Sequence, residues 1–327
     1  MSLEDTFGRT HSYLRVSVTD RCNYRCAYCM PENGMEWVPR SELLRYEEIA
    51  RIVRVMSTLG IRKVRITGGE PTIRADIISL VEAIASIPAI EDVAMTTNGH
   101  TLERLAQPLA DAGLSRVNVS IDSLDSKRFT LLTRGGNLER VLNGIEAARR
   151  AGLTPIKLNV VLLEGNNEHE VMDFIEYFSE KAADTDVRFI EYMPFEKRKF
   201  KSIPAARIRK YIRERWTLEH AGQRTSTDGP AQRYRIKETG LNVGFISPLS
   251  EHFCATCNRL RLMADGHLRT CLAHEDTPSL RDLVRAGHSD STLQEAIRAM
   301  VLGKPIGHDC GIDGGTPFQG TMTAIGG

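Results

Sequence analysis

The chain has 327 residues, 41% of them apolar and 26% charged, a balance ordinary for a soluble protein with one large domain and a smaller one. With 43 basic against 42 acidic side chains the net charge is +1, which excludes a global field for nucleic acid or membrane and leaves recognition to local charge. Seven cysteines in this length exclude a secreted disulfide framework, and reduced thiols point to a cytoplasmic protein.

The N-terminal stretch MSLEDTFGRTHSYLRV lacks an apolar signal core, and no uninterrupted apolar run reaches the ~18 residues of a membrane helix. From Tyr13 to about Glu191, short strand patterns alternate with longer helical ones, as in βα units on a parallel sheet. Strands are expected at Tyr13 to Thr19, Lys63 to Thr67, Asp92 to Thr97, Arg116 to Asp122, Pro155 to Leu162 and Asp186 to Tyr192, enough for a partial barrel. Between the first two, Tyr46 to Leu59 puts Ile49, Ile52, Val53, Met56 and Leu59 on one helical face, and Gly60 follows as a cap. Gly113 and Gly152 close further helices that begin near Thr101 and Leu138.

Directly after the first strand, Cys22-Asn23-Tyr24-Arg25-Cys26-Ala27-Tyr28-Cys29 gathers three thiols with no fourth cysteine nearby. Structural zinc normally takes four protein ligands, whereas compact cysteine runs hold cubane iron–sulfur clusters. A cluster with one iron left open fits best, and a zinc knuckle completed by a distant His or Cys is the alternative. After the second strand comes Thr67-Gly68-Gly69-Glu70-Pro71, where two glycines let backbone approach a ligand and Pro71 stiffens the turn.

Read with the strand period of two, Leu14, Val16 and Val18 oppose Arg15, Ser17 and Thr19, and the later strands alternate likewise. If helices cover the apolar face, the polar face lines the lumen. A lumen carrying Arg15, Lys63, Arg65, Lys157 and Arg188 against Asp122 is a cationic cavity rather than a packed core, and an anionic ligand with several phosphates would satisfy it. For any one of these side chains, pairing with a helix carboxylate is the alternative.

The segment from Glu219 to Arg233 reads as an exposed connection, after which the βα rhythm stops. Beyond it lie Cys254, Cys257 and Cys271, a second triad whose spacing also suits zinc with His252, His267 or His274 as fourth ligand. Arg259 and Arg261, two apart on a strand-like stretch, point to one side beside it. Cys310 reads as a buried, inert thiol. The terminal Gly326-Gly327 suggests a flexible tail, disordered or able to thread into a narrow site.

The C-x3-C-x2-C spacing with Tyr28 before the last cysteine, followed by Gly-Gly-Glu-Pro, resembles the radical S-adenosylmethionine (SAM) superfamily. Adding Glu-Tyr-Met-Pro at 191 to 194, Cys-x2-Cys-Asn-Arg-x-Arg with a third cysteine, and the terminal Gly-Gly, nearly the whole chain resembles the GTP 3',8-cyclase family of molybdenum cofactor biosynthesis. The resemblance implies an α/β fold: a partial (β/α)6 TIM-like barrel at 1–222, with a smaller cluster-binding domain at 223–327. It implies two [4Fe-4S] clusters at opposite ends, one on Cys22, Cys26 and Cys29 with SAM, the other on Cys254, Cys257 and Cys271 with GTP.

Tyr28, Gly68, Gly69, Glu70, Ser120 and Met193 then fall where the family meets SAM, and Arg15, Lys63, Arg65, Thr96, Lys157, Arg188, Arg259 and Arg261 where it meets GTP. The implied chemistry is removal of the ribose 3' hydrogen by a deoxyadenosyl radical and attack of that carbon on C8 of guanine. Arg15, Arg259, Arg261, Gly326 and Gly327 would take part. The implied partners are an electron donor, the downstream cyclic pyranopterin monophosphate synthase and a second copy in a homodimer. Rival readings are another two-cluster radical SAM enzyme, such as a peptide-modifying maturase, and a non-catalytic zinc- or nucleotide-binding module. The segment from 197 to 233 matches no motif, and no P-loop pattern is present.

Overall fold

The computed structural model describes residues 2–32, 34–195, 200–222, 229–274, 278–312, 314, 318, 322 and 323. Six parallel strands form its centre: β1 (Tyr13–Ser17), β2 (Lys63–Thr67), β3 (Asp92–Thr97), β4 (Arg116–Ser120), β5 (Ile156–Leu162) and β6 (Thr185–Glu191). Helices α1 (Tyr46–Thr58), α2 (Ile77–Ala85), α3 (Leu102–Asp111), α4 (Ser126–Thr133), α5 (Leu138–Arg150) and α6 (Val171–Ser179) separate them. Short crossovers between parallel strands have one favoured hand, which puts such helices on a common face. Ile49, Ile52, Val53 and Met56 of α1 are fully buried, as the helical spacing requires. Gly60, Gly113 and Gly152 all have positive φ, at 109°, 96° and 74°, and end their helices without the strain a Cβ would add.

The remaining chain extends both edges of the same sheet. After α7 (Ala205–Arg213) come β7 (Leu218–His220), β8 (Gln232–Ile236) and β9 (Asn242–Ile246), and β9 lies parallel beside β6. Next, β10 (Arg259–Leu262) lies parallel beside β1, with β11 (Leu268–Arg269) antiparallel outside it. Among the described residues the order is β11-β10-β1-β2-β3-β4-β5-β6-β9-β8-β7, an open eleven-stranded sheet. Helices α8 (Leu280–Arg285) and α9 (Asp290–Leu302) then pack on α1. The sheet therefore continues past residues 219–233, where the alternation was expected to stop, and β9 beyond them still lies parallel beside β6.

β2 and β3 run over the expected residues, β1, β4 and β5 differ from expectation by one or two residues at one end, and β6 is shifted by one residue at both. β4 ends at Ser120 rather than Asp122 because the Asp122 side chain, not its backbone, accepts the Val161 N–H at 2.9 Å. The segment between β4 and β5 also folds as two helices, α4 and α5, where one was expected.

Candidate active site

Apolar side chains of the central strands pack under the helices, and their polar neighbours face the other way. In β2, Val64 and Ile66 join the main apolar core while Lys63, Arg65 and Thr67 line a cavity of about 490 Å³. Every predicted site residue within the described segments lies on this one cavity: both cysteine triads, Tyr28, Gly68, Gly69, Glu70, Ser120 and Met193, and Arg15, Lys63, Arg65, Thr96, Lys157, Arg188, Arg259 and Arg261. Gly326 and Gly327 lie outside the described residues.

Sheet register explains the cations. Arg261, Arg15 and Arg65 sit opposite one another across β10, β1 and β2, with Arg259, Tyr13 and Lys63 in the next lumen-facing row. Like charges directly opposite repel, and burial adds to the cost. Burial together with the Arg65 and Arg259 charges holds Arg15 down to about 10 despite Tyr13. Burial, Arg188 and Arg116 push the Lys157 amine down to about 6. Carboxylates offset part of this charge: Lys63 Nζ lies 3.1 Å from Asp92, which also binds Arg116, Arg188 lies 4.0 Å from Asp186, and the Asp186 charge also acts on Lys157. Asp122, expected in the lumen, is instead taken up by Tyr28 Oη at 2.7 Å and the Val161 N–H, and burial raises its carboxyl to about 6. Arg65 Nη1, Thr96 Oγ1, Asn118 Oδ1 and Asn159 Oδ1 are buried on the cavity wall without a hydrogen-bond partner. Orphaned polar atoms of this kind are what a polar ligand relieves.

The first triad is held by strand ends. Arg25 and Ala27 donate their N–H groups to Thr133 and Leu132 at the end of α4, and Cys29 and Met30 donate to the Cys26 carbonyl. The Gly69 and Glu70 N–H groups donate to the carbonyls of Thr19 (2.6 Å) and Arg21 (2.8 Å). A Cβ on Gly69 would overlap the Arg21 carbonyl, so these glycines serve a close approach to the cysteine loop's own backbone as well as to the cavity. Glu70 is 1% exposed. It accepts from the Thr72 N–H, the Thr72 and Thr97 hydroxyls and the Asn98 N–H, while the Asn98 amide reaches Asn23 at 2.8 Å. Burial still raises its carboxyl above the usual range against those donors.

Burial lifts the Cys22 thiol to about 11 and Cys29 to about 12, and Cys26 is raised further by Cys29, Asp122 and Cys22. The three cysteines are free and line one cavity. The C-terminal segment also arrives here: Thr323 bonds Cys29 through its backbone and Met35 through its hydroxyl at 3.2 Å.

The second triad lies against different chemistry. Lys304, which sequence reasoning missed, places Nζ 2.8 Å from the Arg259 carbonyl and 3.7 Å from Cys257 Sγ. Burial would raise the Cys257 thiol, but Arg259 and Lys304 outweigh it and bring it down to about 7. Arg9, itself tied to Asp5 at 2.6 Å, donates to the carbonyls of Cys254, Pro305 and Ile306. Of the three histidines considered, His267 pairs with Asp265 at 3.1 Å and His274 lies 3.4 Å from the Gly307 carbonyl. His252 lies with Cys254 and His308 in a group whose ligand atoms are all within 4.8 Å.

Asn118 and Asn159, on the polar face by the strand period, line the cavity as expected, and Tyr13, Asp92 and Arg116 also line it but were not singled out from the sequence. The same strand period applied to Tyr13, Asp92 and Arg116 would have found them. Lys304 and His308 carry no such signal, because a loop brings them in.

Two family models match the chain: the radical SAM superfamily over residues 16–178 and "Molybdenum Cofactor Synthesis C" over 185–310. Among solved structures, Streptococcus suis SuiB bound to S-adenosylmethionine aligns with a TM-score of 0.60 at 18% identity, covering 89% of this chain and 69% of that one. That likeness speaks for the fold alone. A GTP 3',8-cyclase of Listeria welshimeri is 42% identical over 99% of both chains. One from Pseudomonas putida is 43% identical over 100% of this chain and 98% of its own. With such identity over nearly the full length of both chains, and the two family models matching in order, the chain belongs to the GTP 3',8-cyclase family of radical SAM enzymes.

Proposed function

We propose that this chain is a GTP 3',8-cyclase, a lyase that turns GTP into (8S)-3',8-cyclo-7,8-dihydroguanosine 5'-triphosphate in molybdenum cofactor biosynthesis. The observation that carries the reading is a single cavity with a cysteine triad in each of two wall segments and a ladder of arginines between them. The donor sets fit [4Fe-4S] clusters: each triad offers three free, soft thiols and leaves one coordination position to a ligand. Cys22, Cys26 and Cys29 would hold the first, and Cys254, Cys257 and Cys271 the second. When bound, the first cluster with SAM supplies a hydrogen-abstracting radical, and the second supplies an open iron as a Lewis acid.

The residues of this chain bind and orient. Gly68, Gly69, Ser120 and Met193 offer backbone and side-chain contacts for SAM beside the first triad. Tyr28 and Glu70 act there by holding the wall, since Tyr28 Oη is committed to Asp122 and the Glu70 oxygens to Thr72, Thr97 and Asn98. Arg15, Arg65, Arg259 and Arg261 receive the triphosphate, with Lys63 in the row beside them and Thr96, Lys157 and Arg188 on strands β3, β5 and β6 further round the cavity. Each charge-assisted contact contributes roughly 1.5–3 kcal/mol. Their work is to fix the ribose toward the first triad and exclude water, which converts an encounter into an oriented reaction.

In this reading residues 1–222 carry the SAM half and residues 223–327 the second triad and the tail. Gly326 and Gly327 follow, in sequence, Thr323, whose backbone bonds Cys29. A reducing electron donor, a homodimeric assembly and delivery of product to a cyclic pyranopterin monophosphate synthase complete the reading. The test is anaerobic incubation of the reconstituted protein with SAM, a reductant and GTP. Mass analysis should find deoxyadenosine and a cyclised isomer of GTP in step; deoxyadenosine with GTP recovered intact would overturn the reading.

A further inference from the structure

Tyr13 stands in the middle of the cationic wall, 3% exposed, between Arg259 on β10 and Lys63 on β2. Arg65 donates its Nε–H to the phenol oxygen, and Arg15 on the same strand also bonds it. Lys63 Nζ lies 5.0 Å and the Arg65 guanidinium 5.8 Å from the ring centroid. Guanidinium groups only donate, so the phenol oxygen is used as an acceptor from two sides. Every cationic group facing it on β1, β2 and β10 (Arg15, Lys63, Arg65, Arg259 and Arg261), with Arg188 across the lumen on β6, favours the phenolate. The Asp92 carboxylate on β3, which lines the same cavity, is bound to Lys63 and Arg116.

We propose that Tyr13 is the internal counter-ion of the phosphate-binding wall: its phenolate oxygen holds Arg15 and Arg65 in place of a ligand oxygen and takes up a proton when the nucleotide arrives. The inference rests on the reading that GTP occupies this cavity. The balance is simple. Tyrosinate plus a solvent proton gives tyrosine, no covalent bond to the substrate forms, and the triphosphate inherits the arginines. Burial opposes ionisation here, yet Arg65, Arg15 and Lys63 bring the phenol down to about 7, so the anion is available in the neutral range. Tyr13 is a positioning residue: it pre-arranges the guanidinium groups and makes nucleotide binding proton-linked.

The experiment is calorimetry of GTP binding to the holoenzyme at about pH 8, where phosphate groups are already ionised, in two buffers of different ionisation enthalpy. Lys157, with its depressed amine, also takes up a proton on binding, so the diagnostic is a difference: Tyr13→Phe should take up one proton fewer than wild type. Its GTP affinity should depend on pH less steeply, by up to about tenfold per pH unit above neutrality. Infrared difference spectra of wild-type holoenzyme carrying isotope-labelled tyrosine should show tyrosinate lost as GTP binds, which needs no variant to fold. Equal proton counts in the two proteins, or GTP binding with no loss of tyrosinate, would overturn the inference while leaving the nucleotide site standing. No heat of GTP binding in either protein would instead remove the cyclase reading beneath it.

Discussion

At the scale of single residues, this cavity keeps charges where burial disfavours them, and the consequences are measurable. The folded Lys157 amine, at about 6, lies below the ~10.4 of an unfolded lysine, so between these values the unfolded chain holds the extra proton. The penalty is full below about pH 6 and fades as pH rises toward ~10.4, which means ligand-free stability should climb through that window. Thermal melts of Lys157→Met should therefore exceed wild type most near pH 6 and converge with it near pH 10, while GTP affinity drops at least about tenfold. Cys257 offers a second case. Lys304→Met removes one of the two cations that hold its thiol near 7, so second-triad cluster assembly at neutral pH should slow, read as iron uptake over time, and recover as pH is raised.

At the scale of elements, loops at the carboxyl ends of strands are tied to one another rather than hung separately from the sheet. Glu70 joins the turn after β2 to the end of β3, and Asn98 passes that tie to Asn23 in the cysteine loop. Glu70→Gln replaces one acceptor oxygen by a donor, leaving N–H or hydroxyl donors unpaired at a cost of about 1–3 kcal/mol. The expected outcome is loss of the first cluster with retention of the second, so iron should fall from about eight to about four per chain. An unchanged iron count would show that the tie is dispensable. Gly69→Ala should do the same more severely, because the new methyl group meets the Arg21 carbonyl rather than a movable side chain. Iron and sulfide analysis of both variants separates the tie from the turn.

At the scale of the whole molecule, the sheet makes the two halves of the chain one structure: β9 covers the outer edge of β6 and β10 that of β1. A fragment of residues 1–222 would expose both edges and lose Arg259 and Arg261, so it should aggregate rather than fold, as light scattering and circular dichroism would show.

Much of this was legible beforehand. Period-two alternation in Lys63 to Thr67 or Arg116 to Ser120 is a local property, and so is the spacing of Cys22, Cys26 and Cys29, which is why strands, polar lumen and first triad could be read from order alone. Pairing between segments some 240 residues apart is not local. Whether Arg261 stands beside Arg15, whether Lys304 reaches Cys257, and whether Tyr28 spends its hydroxyl on Asp122 depend on how edges and loops close in three dimensions. The sequence by itself determined which side chains face inward and which thiols can share a cluster. Only the tertiary structure decided which charges are paired and which wait for a ligand, because burial and neighbouring charge act through space rather than along the chain.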